Sequence, residues 1–509
     1  MATQEIVWNW NNFKWGLSDN PYLGQEGQFQ DGVNIDVQTE PNGFKLTAPL
    51  SQQISSVATR STITIDTSDY WLVGDYAEKY FFTQYDGSTE SKVYKGTSTT
   101  AYYTDWTGQK IIWATAMWVS WTLAIYYFTL DWVIHKLTLW AVPAHSTLAW
   151  TFVSNQDKIP LIHHGDDVYF CAWNILYKLN SVTETFAAIF TAGKENTFTG
   201  ITFFQDSFHL YSKSAGWATG ASTPRNGRQY IIRVGESSPD YITKWDRLPI
   251  MWACNIGSTD YVVTWFWPRY SDLYVVSGTQ RQLIRSNYEG QSLGRQFTWE
   301  IVSWKDEVFL LGRNKDSQQS TYASSIFRLG KYFPWMPQAL TEIYRSWTTT
   351  YITSLFCWIS DIFIWYDRTS LGWVFSIQTI NLDTPCTSYT VEWWYAVSEV
   401  YTWWDATIIK QMKEIEISYM CDNTNPYFPH GGTFKLYARK NPIDTWTQIW
   451  ASYTKTDIGK IKIVQQEINN ANMWDYTQIE LKCELIRWSA TLSPLVTWIK
   501  VTSTININD

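Results

Sequence analysis

Apolar and polar residues alternate with a period of two along most of this chain, and long stretches of helical periodicity are scarce. Between about residues 66 and 385 one unit recurs. Small or acidic residues lead into an apolar strand, a turn follows, and the chain returns on a second apolar strand. The unit starts at Ser68 (SDYWLVGDYAEKYFFTQYDGS), Leu123 (LAIYYFTLDWVIHKLTL), Gly165 (GDDVYFCAWNILYKLN) and Gln205 (QDSFHLYSKSAG with QYIIRVG). It returns at Ser258 (STDYVVTWFWPRYSDLYVVS), Lys305 (KDEVFLLGRN with SSIFRLG) and Ser360 (SDIFIWYDRTSLGWVFSI). Starts lie roughly 40–55 residues apart, the period of a four-stranded propeller blade. The pattern predicts an all-β chain with a β-propeller of about seven blades, six and eight remaining open.

After Thr384 the repeat stops. IEISYM (415–420), TFKLYARK (433–440), KIKIVQQ (460–466), TQIELKCELI (477–486) and VTWIKVTSTI (496–505) alternate cleanly, with Phe434, Leu436 and Ala438 on one face and Lys435, Tyr437 and Arg439 on the other. This reads as a C-terminal β-sandwich of the jelly-roll or a similar kind. Residues 1–50 are rich in Gly, Asn, Asp and Pro and read as an extended arm that orders against a neighbour or the sandwich. Its removal is expected to spare the fold. The predicted division is 1–50 arm, 51–385 propeller and 386–509 sandwich. Ile111–Leu130 carries no charge, but inside a β-repeat it reads as two strands and a turn, not a membrane span.

Composition changes this picture in one respect. Trp numbers 33 against 26 Gly in 509 residues, although Gly usually makes up ~7% of a chain and Trp is rare. The positions are those of glycine. Asp131-Trp132 and Trp173-Asn174 sit between apolar strands where a two-residue hairpin loop takes Asp-Gly or Gly-Asn, and Trp393-Trp394 and Trp403-Trp404 are doublets in polar stretches. Many of these Trp are therefore read as UGA codons that the native organism translates as glycine. Turn indoles such as Trp132 and Trp173 are expected to face solvent. The competing reading takes the Trp as genuine aromatic binding platforms.

Net charge is −8 without basic runs, which argues against a wrapping grip on nucleic acid. No secretory signal is visible in MATQEIVWNW, and the six scattered Cys read as isolated thiols in a reducing compartment. His163-His164-Gly165-Asp166-Asp167 offers imidazoles and carboxylates, but adjacent strand residues point to opposite faces and cannot join one metal site. His135, His145, His209 and His430 read as isolated, and Arg225, Arg228 and Arg233 as a solvated patch. GxSxG, HExxH, GxGxxG and GxxxxGK[ST] are absent, and Ser286–Gly290 lacks the Asp of a sialidase Asp-box. No catalytic, cofactor-binding or metal-binding residue is assigned, and the chain is read as no enzyme.

Asn11-Asn12-Phe13-Lys14-Trp15-Gly16-Leu17-Ser18-Asp19-Asn20-Pro21 resembles the opening of many tailed-phage virion proteins, with Trp15 where their first Gly of Phe-x-Gly-Gly-Leu stands. FQDGVNIDVQTEPNGFKL (29–46) is similar to the continuation in those proteins, and QIELKCELIR with SPLVTWIKV looks like the closing strands of phage tail sandwiches. The resemblance implies a structural virion protein of the tail-nozzle, tail-hub or DNA-stabilisation kind. Its copies would form a ring with other tail proteins around passing DNA, assembled in the bacterial cytoplasm, with no cofactor and with host-surface contact left open. A receptor- or glycan-binding tail protein is the alternative, and a propeller glycosidase a more distant one.

Overall fold

The computed structural model describes residues 2–11, 31–33, 35–36, 45–46, 51–57, 64–66, 80–85, 90–95, 98, 100–106, 109–119, 122–131, 133–139, 143–151, 159–180, 182–214, 226–246, 249–266, 270–288, 296–314, 323–330, 338–345, 350–358, 361–368, 374–381, 395–398, 401, 407–421, 431–441, 444–450, 452–455, 457–464, 475–487 and 493–507. Every named element among them is a strand. Seven four-stranded antiparallel sheets follow one another along the chain, and they are the blades of a β-propeller. Blades 1 to 6 span residues 64–105, 111–151, 161–191, 196–246, 250–288 and 296–345. Blade 7 takes three strands from residues 350–381 and its fourth, Ser51–Val57, from the chain ahead of blade 1. That exchange ties the last blade to the first through backbone hydrogen bonds.

The core lies between the blades. Phe81 and Val93 of blade 1 pack with Ile125 and Tyr127 of blade 2, whose other face packs Trp113 and Phe128 against Phe170 of blade 3. Blades 3 and 4 meet through Cys171 and Phe208, blades 4 and 5 through Tyr211 and Val262, and blades 6 and 7 through Phe309 and Leu355. Middle strands are therefore covered on both faces, which is why they read as apolar runs. Six of the seven repeat units coincide with the second and third strands of blades 2 to 7. The first half of the Ser68 unit lies outside the described residues. Residues 111–130 form the strands Ile111–Val119 and Thr122–Thr129, and no described helix is long and apolar enough to cross a membrane.

First strands of blades 4 to 7 lie beside one another, which sets them around the axis. Five first strands carry an irregular register early on: at Ile111/Trp113, Phe198/Gly200, Ile250/Trp252, Phe297/Ile301 and Ile352/Ser354. A bulge there lets the strand bend as it turns into the ring. In blade 4 the residue after the bulge is Gly200, where an added Cβ would stand 2.9 Å from Ala253 Cβ and 3.0 Å from Ala253 N. Trp113, Trp252 and Ser354 hold the matching places in blades 2, 5 and 7. Trp113 is buried against Phe128 and Phe170, and its indole N–H finds no hydrogen-bond partner. Trp173 does lie at a hairpin turn, with φ +52°, a region that favours glycine. It is half-buried, however, not solvent-facing, because the turn lies against the start of blade 4, where Phe198 N–H donates to Trp173 O at 2.8 Å. Trp132, Trp393-Trp394 and Trp403-Trp404 lie outside the described residues.

Besides a short pairing of Ile35–Asp36 with Lys45–Leu46, two larger sheets join strands from both ends of the chain. One runs Ala2–Asn11, Leu495–Ile507, Lys410–Met420, Ile458–Val464; the other runs Asp31–Val33, Tyr395–Val397, Glu480–Arg487, Gly432–Arg439, Thr447–Gln448. Ile415, Ile417 and Val501 of the first share a cluster with Phe434, Leu436 and Cys483 of the second, and the Tyr419 and Phe434 rings lie 5.6 Å apart. The same cluster contains Phe297 and Leu310 of blade 6, so the apolar core continues into the propeller. Phe434, Leu436 and Ala438 face inward as the alternation requires. Arg439 departs from it: it is buried, paired with Glu480 and stacked 4.3 Å from the Trp446 ring. Residues 2–11 order against the C-terminal sheets. They pair with the chain's last strand from Ala2↔Ile507 to Asn11↔Trp498, and Ile6 and Trp10 are buried. The described Cys, 171, 254, 357, 421 and 483, form no disulfide, and burial pushes the Cys171, Cys254, Cys357 and Cys483 thiols up; Cys386 lies outside the described residues.

Candidate functional site

Polar side chains concentrate where blades meet. A hydroxyl on the third strand often holds the start of the next blade's first strand. Ser91 Oγ donates to Gln109 O at 2.6 Å, Ser271 Oγ accepts Phe297 N–H at 2.6 Å, and Ser324 Oγ accepts Ile352 N–H at 3.2 Å. Glu300 of blade 6 accepts Leu355 N–H of blade 7 at 3.1 Å, and Thr199 of blade 4 donates to Ile250 O of blade 5 at 2.7 Å. Those at Ile250, Phe297 and Ile352 satisfy backbone groups at the irregular registers, and all of them join neighbouring blades.

Two interfaces hold denser networks. Between blades 4 and 5, Asp260 Oδ2 accepts from His209 Nδ1 at 2.6 Å and from Tyr211 Oη at 2.6 Å, while Oδ1 accepts from Asn255 Nδ2 at 3.0 Å. Burial, then the Asp260 charge, pushes the Tyr211 phenol up, so it stays a donor. Between blades 1 and 2, Asp105 ends the last strand of blade 1 and Tyr127 Oη donates to its Oδ2 at 2.7 Å. The register of blade 2 pairs Tyr127 with His135 and Leu137 with His145. His135 and His145 are thus diagonal neighbours on one face, with Nδ1 and Nε2 3.0 Å apart. Tyr127 stacks on His135 at 4.8 Å and Tyr103 on His145 at 5.2 Å. Burial holds the His135 imidazole below its ordinary pKa against the opposing pull of Asp105. Across blades 2 and 3, Glu184 accepts from Tyr126 at 2.7 Å and pairs with Lys136.

Residues singled out in the sequence fall differently. His163 bonds Thr115 of blade 2 at 2.6 Å, whereas His164 packs on Phe203 of blade 4 at 4.1 Å. The adjacent imidazoles face opposite neighbours, and Asp167 pairs with Lys178 at 2.6 Å. Arg228 and Arg233 each meet a carboxylate at 3.4 Å, Glu195 and Asp240, on the surface; Arg225 and His430 lie outside the described residues. His135, His145 and His209 are not isolated. The first two are ten residues apart across a hairpin whose loop length the alternation does not define, and Asp105 and Asp260 come from neighbouring blades. Only a blade-to-blade register in the sequence would have paired them.

No family model and no curated protein matches the chain. Its fold is similar to that of Raptor from Chaetomium thermophilum, with TM-score 0.45 and 10% identity over 66% of this chain and 29% of that one. It is similar to the Cps50 (Swd1) β-propeller domain of Myceliophteria thermophila, with TM-score 0.42 and 9% identity over 65% and 99%. It is also similar to the C-terminal WD40 domain of Sif2, with TM-score 0.39 and 12% identity over 66% and 99%. The matched part spans under a third of Raptor. The GH…WD signature of WD40 arrays is absent from the chain itself.

Proposed function

We propose that this chain is an interaction scaffold of a phage tail: a nozzle or hub component whose copies form a ring around the DNA exit channel. The observation that carries the reading is the placement of its N-terminal segment. What flanks the resembling stretch is Ala2–Asn11, paired with the chain's last strand, and Ser51–Val57, which closes blade 7; residues 12–30 of the stretch lie outside the described residues. Strands on either side of the segment that resembles virion proteins thereby join the C-terminal sheets and the propeller, which supports its reading as part of one folded unit. Polar groups between blades, Asp260 and Glu300 among them, serve cross-blade hydrogen bonds, which suits a load-bearing part and a chain that is no enzyme. DNA must slide through such a ring, so its wall is neutral or acidic, in keeping with a net charge of −8.

The Trp positions belong to the same reading. Trp113 and Trp252 stand where blade 4 has Gly200 and blade 7 has Ser354, a place of close backbone approach, and Trp173 has φ +52°. Restored to glycine, these sites need neither a buried indole N–H nor a strained turn, as in a phage of a host that reads UGA as glycine. Peptide mass spectrometry on purified virions tests both parts. Peptides of this chain are expected in the tail fraction, with the Tyr126–Lys136 segment lighter than its written sequence by about 129 Da, the Trp-to-Gly difference that an Asp-Gly hairpin loop in the sequence would give. A segment at full Trp mass removes the recoding and returns weight to aromatic ligand binding. Absence of the chain from virions removes the tail assignment.

A further inference from the structure

We propose that Asp105, His135 and His145 bind one first-row divalent cation, Zn²⁺ by preference, which staples blade 1 to blade 2. One ligand atom from each lies within 4.8 Å of the other two, and they come from three strands of two blades. Around a tetrahedral Zn²⁺ with bonds of about 2.0–2.1 Å, ligand atoms stand about 3.3 Å apart. The His135 Nδ1 to His145 Nε2 distance of 3.0 Å is already close to that, and the Asp105 carboxylate, within 4.8 Å of both, would draw in on binding. Two imidazoles and one carboxylate suit a borderline cation, not Ca²⁺ or Mg²⁺.

Neighbouring groups prepare the donors. Thr129 Oγ1 lies 2.5 Å from Asp131 Oδ1, and a carboxylate can only accept, so the hydroxyl proton goes there. The same oxygen, 3.2 Å from His135 Nε2, then accepts that nitrogen's proton, and Nδ1 turns a lone pair toward His145. Tyr127 Oη occupies Asp105 Oδ2 from one side, which orients the carboxylate, and the Tyr103 and Tyr127 rings fix the imidazole planes. Asp105 and His135 are buried, whereas His145 is exposed, so an ion can reach the site from solvent and complete its coordination with water. The site departs from the sequence reading, which assigned no metal ligand. It is independent of the tail assignment.

The test uses the full chain, stripped with EDTA and dialysed, then titrated with ZnCl₂ by calorimetry and with Co²⁺ by visible absorption. One Zn²⁺ per chain, Co²⁺ ligand-field bands and a Zn²⁺-dependent rise in melting temperature are expected. His145→Ala changes an exposed side chain and should fold as the parent does, with Zn²⁺ affinity lowered by no less than the roughly 10–100-fold that loss of a mere outer-shell partner causes. Asp105→Asn keeps the side-chain shape and should weaken binding too, while His163→Ala should leave it unchanged. The proposal is overturned if the parent binds no Zn²⁺, or if His145→Ala, folded by circular dichroism, binds as tightly as the parent.

Discussion

Replacing Asp260 by Ala removes the acceptor on which the interface of blades 4 and 5 converges. Its side chain is 1% exposed and takes three hydrogen bonds, from His209 and Tyr211 at 2.6 Å each and Asn255 at 3.0 Å. Hydrogen bonds to a charged group contribute about 1.5–3 kcal/mol each, but the wild type also bears the cost of a buried carboxylate. Truncation leaves two buried donors, His209 and Tyr211, and the half-buried Asn255 facing a small void; at about 1–3 kcal/mol for each buried donor left without a partner, a loss of about 3–5 kcal/mol is expected. Asp260→Asn retains one carbonyl oxygen for two of the donors and should lose about half as much. Urea unfolding, followed by intrinsic fluorescence and by hydrogen exchange of the strands Ser207–Ser214 and Thr259–Phe266, reads the effect locally. A loss below about 1 kcal/mol for Asp260→Ala, with exchange of both strands unchanged, would refute the assignment of this carboxylate as the tie between blades.

Gly200→Val should cost about 1–3 kcal/mol in thermal or urea unfolding, because its Cβ would meet Ala253 at 2.9 Å and force the blades apart. Deleting residues 1–11 strips the partner from Leu495–Ile507 and uncovers the pockets of Ile6 and Trp10, so limited proteolysis should cut the C-terminal sheets first and leave propeller fragments intact. Burial pushes the Glu184 carboxyl up, but Lys136 and Tyr126 outweigh it and hold it below the ordinary value of 4.5. Its contribution is therefore present above pH 4.5 and lost as pH falls through the lower folded value, so the stability gap between wild type and Glu184→Gln, under about 1 kcal/mol for a half-exposed pair, should close in acid.

What the sequence made legible follows from burial. Middle strands such as Val168–Cys171 and Val308–Leu311 are covered on both sides by neighbouring blades, so they write themselves as uninterrupted apolar runs and give the blade number. First strands carry bulges that break the alternation, and fourth strands such as Thr185–Thr191 are largely exposed and carry a weak pattern. The exchange of Ser51–Val57 into blade 7 left no trace, because pairing with residues 374–381 is a property of ring closure and not of local pattern. The polar networks were hidden for a related reason. Asp105 and Asp260 meet their histidines across a blade boundary, at separations set by loop lengths that differ from blade to blade.

Electron cryomicroscopy of native tails tests the central claim most directly. The account predicts a ring of these seven-bladed chains around the DNA channel, the Ala2–Asn11 strand beside Leu495–Ile507 in every copy, and a lumen not lined by Lys and Arg. A chain found only at a fibre tip, outside any ring, or a channel wall that is strongly basic would contradict it.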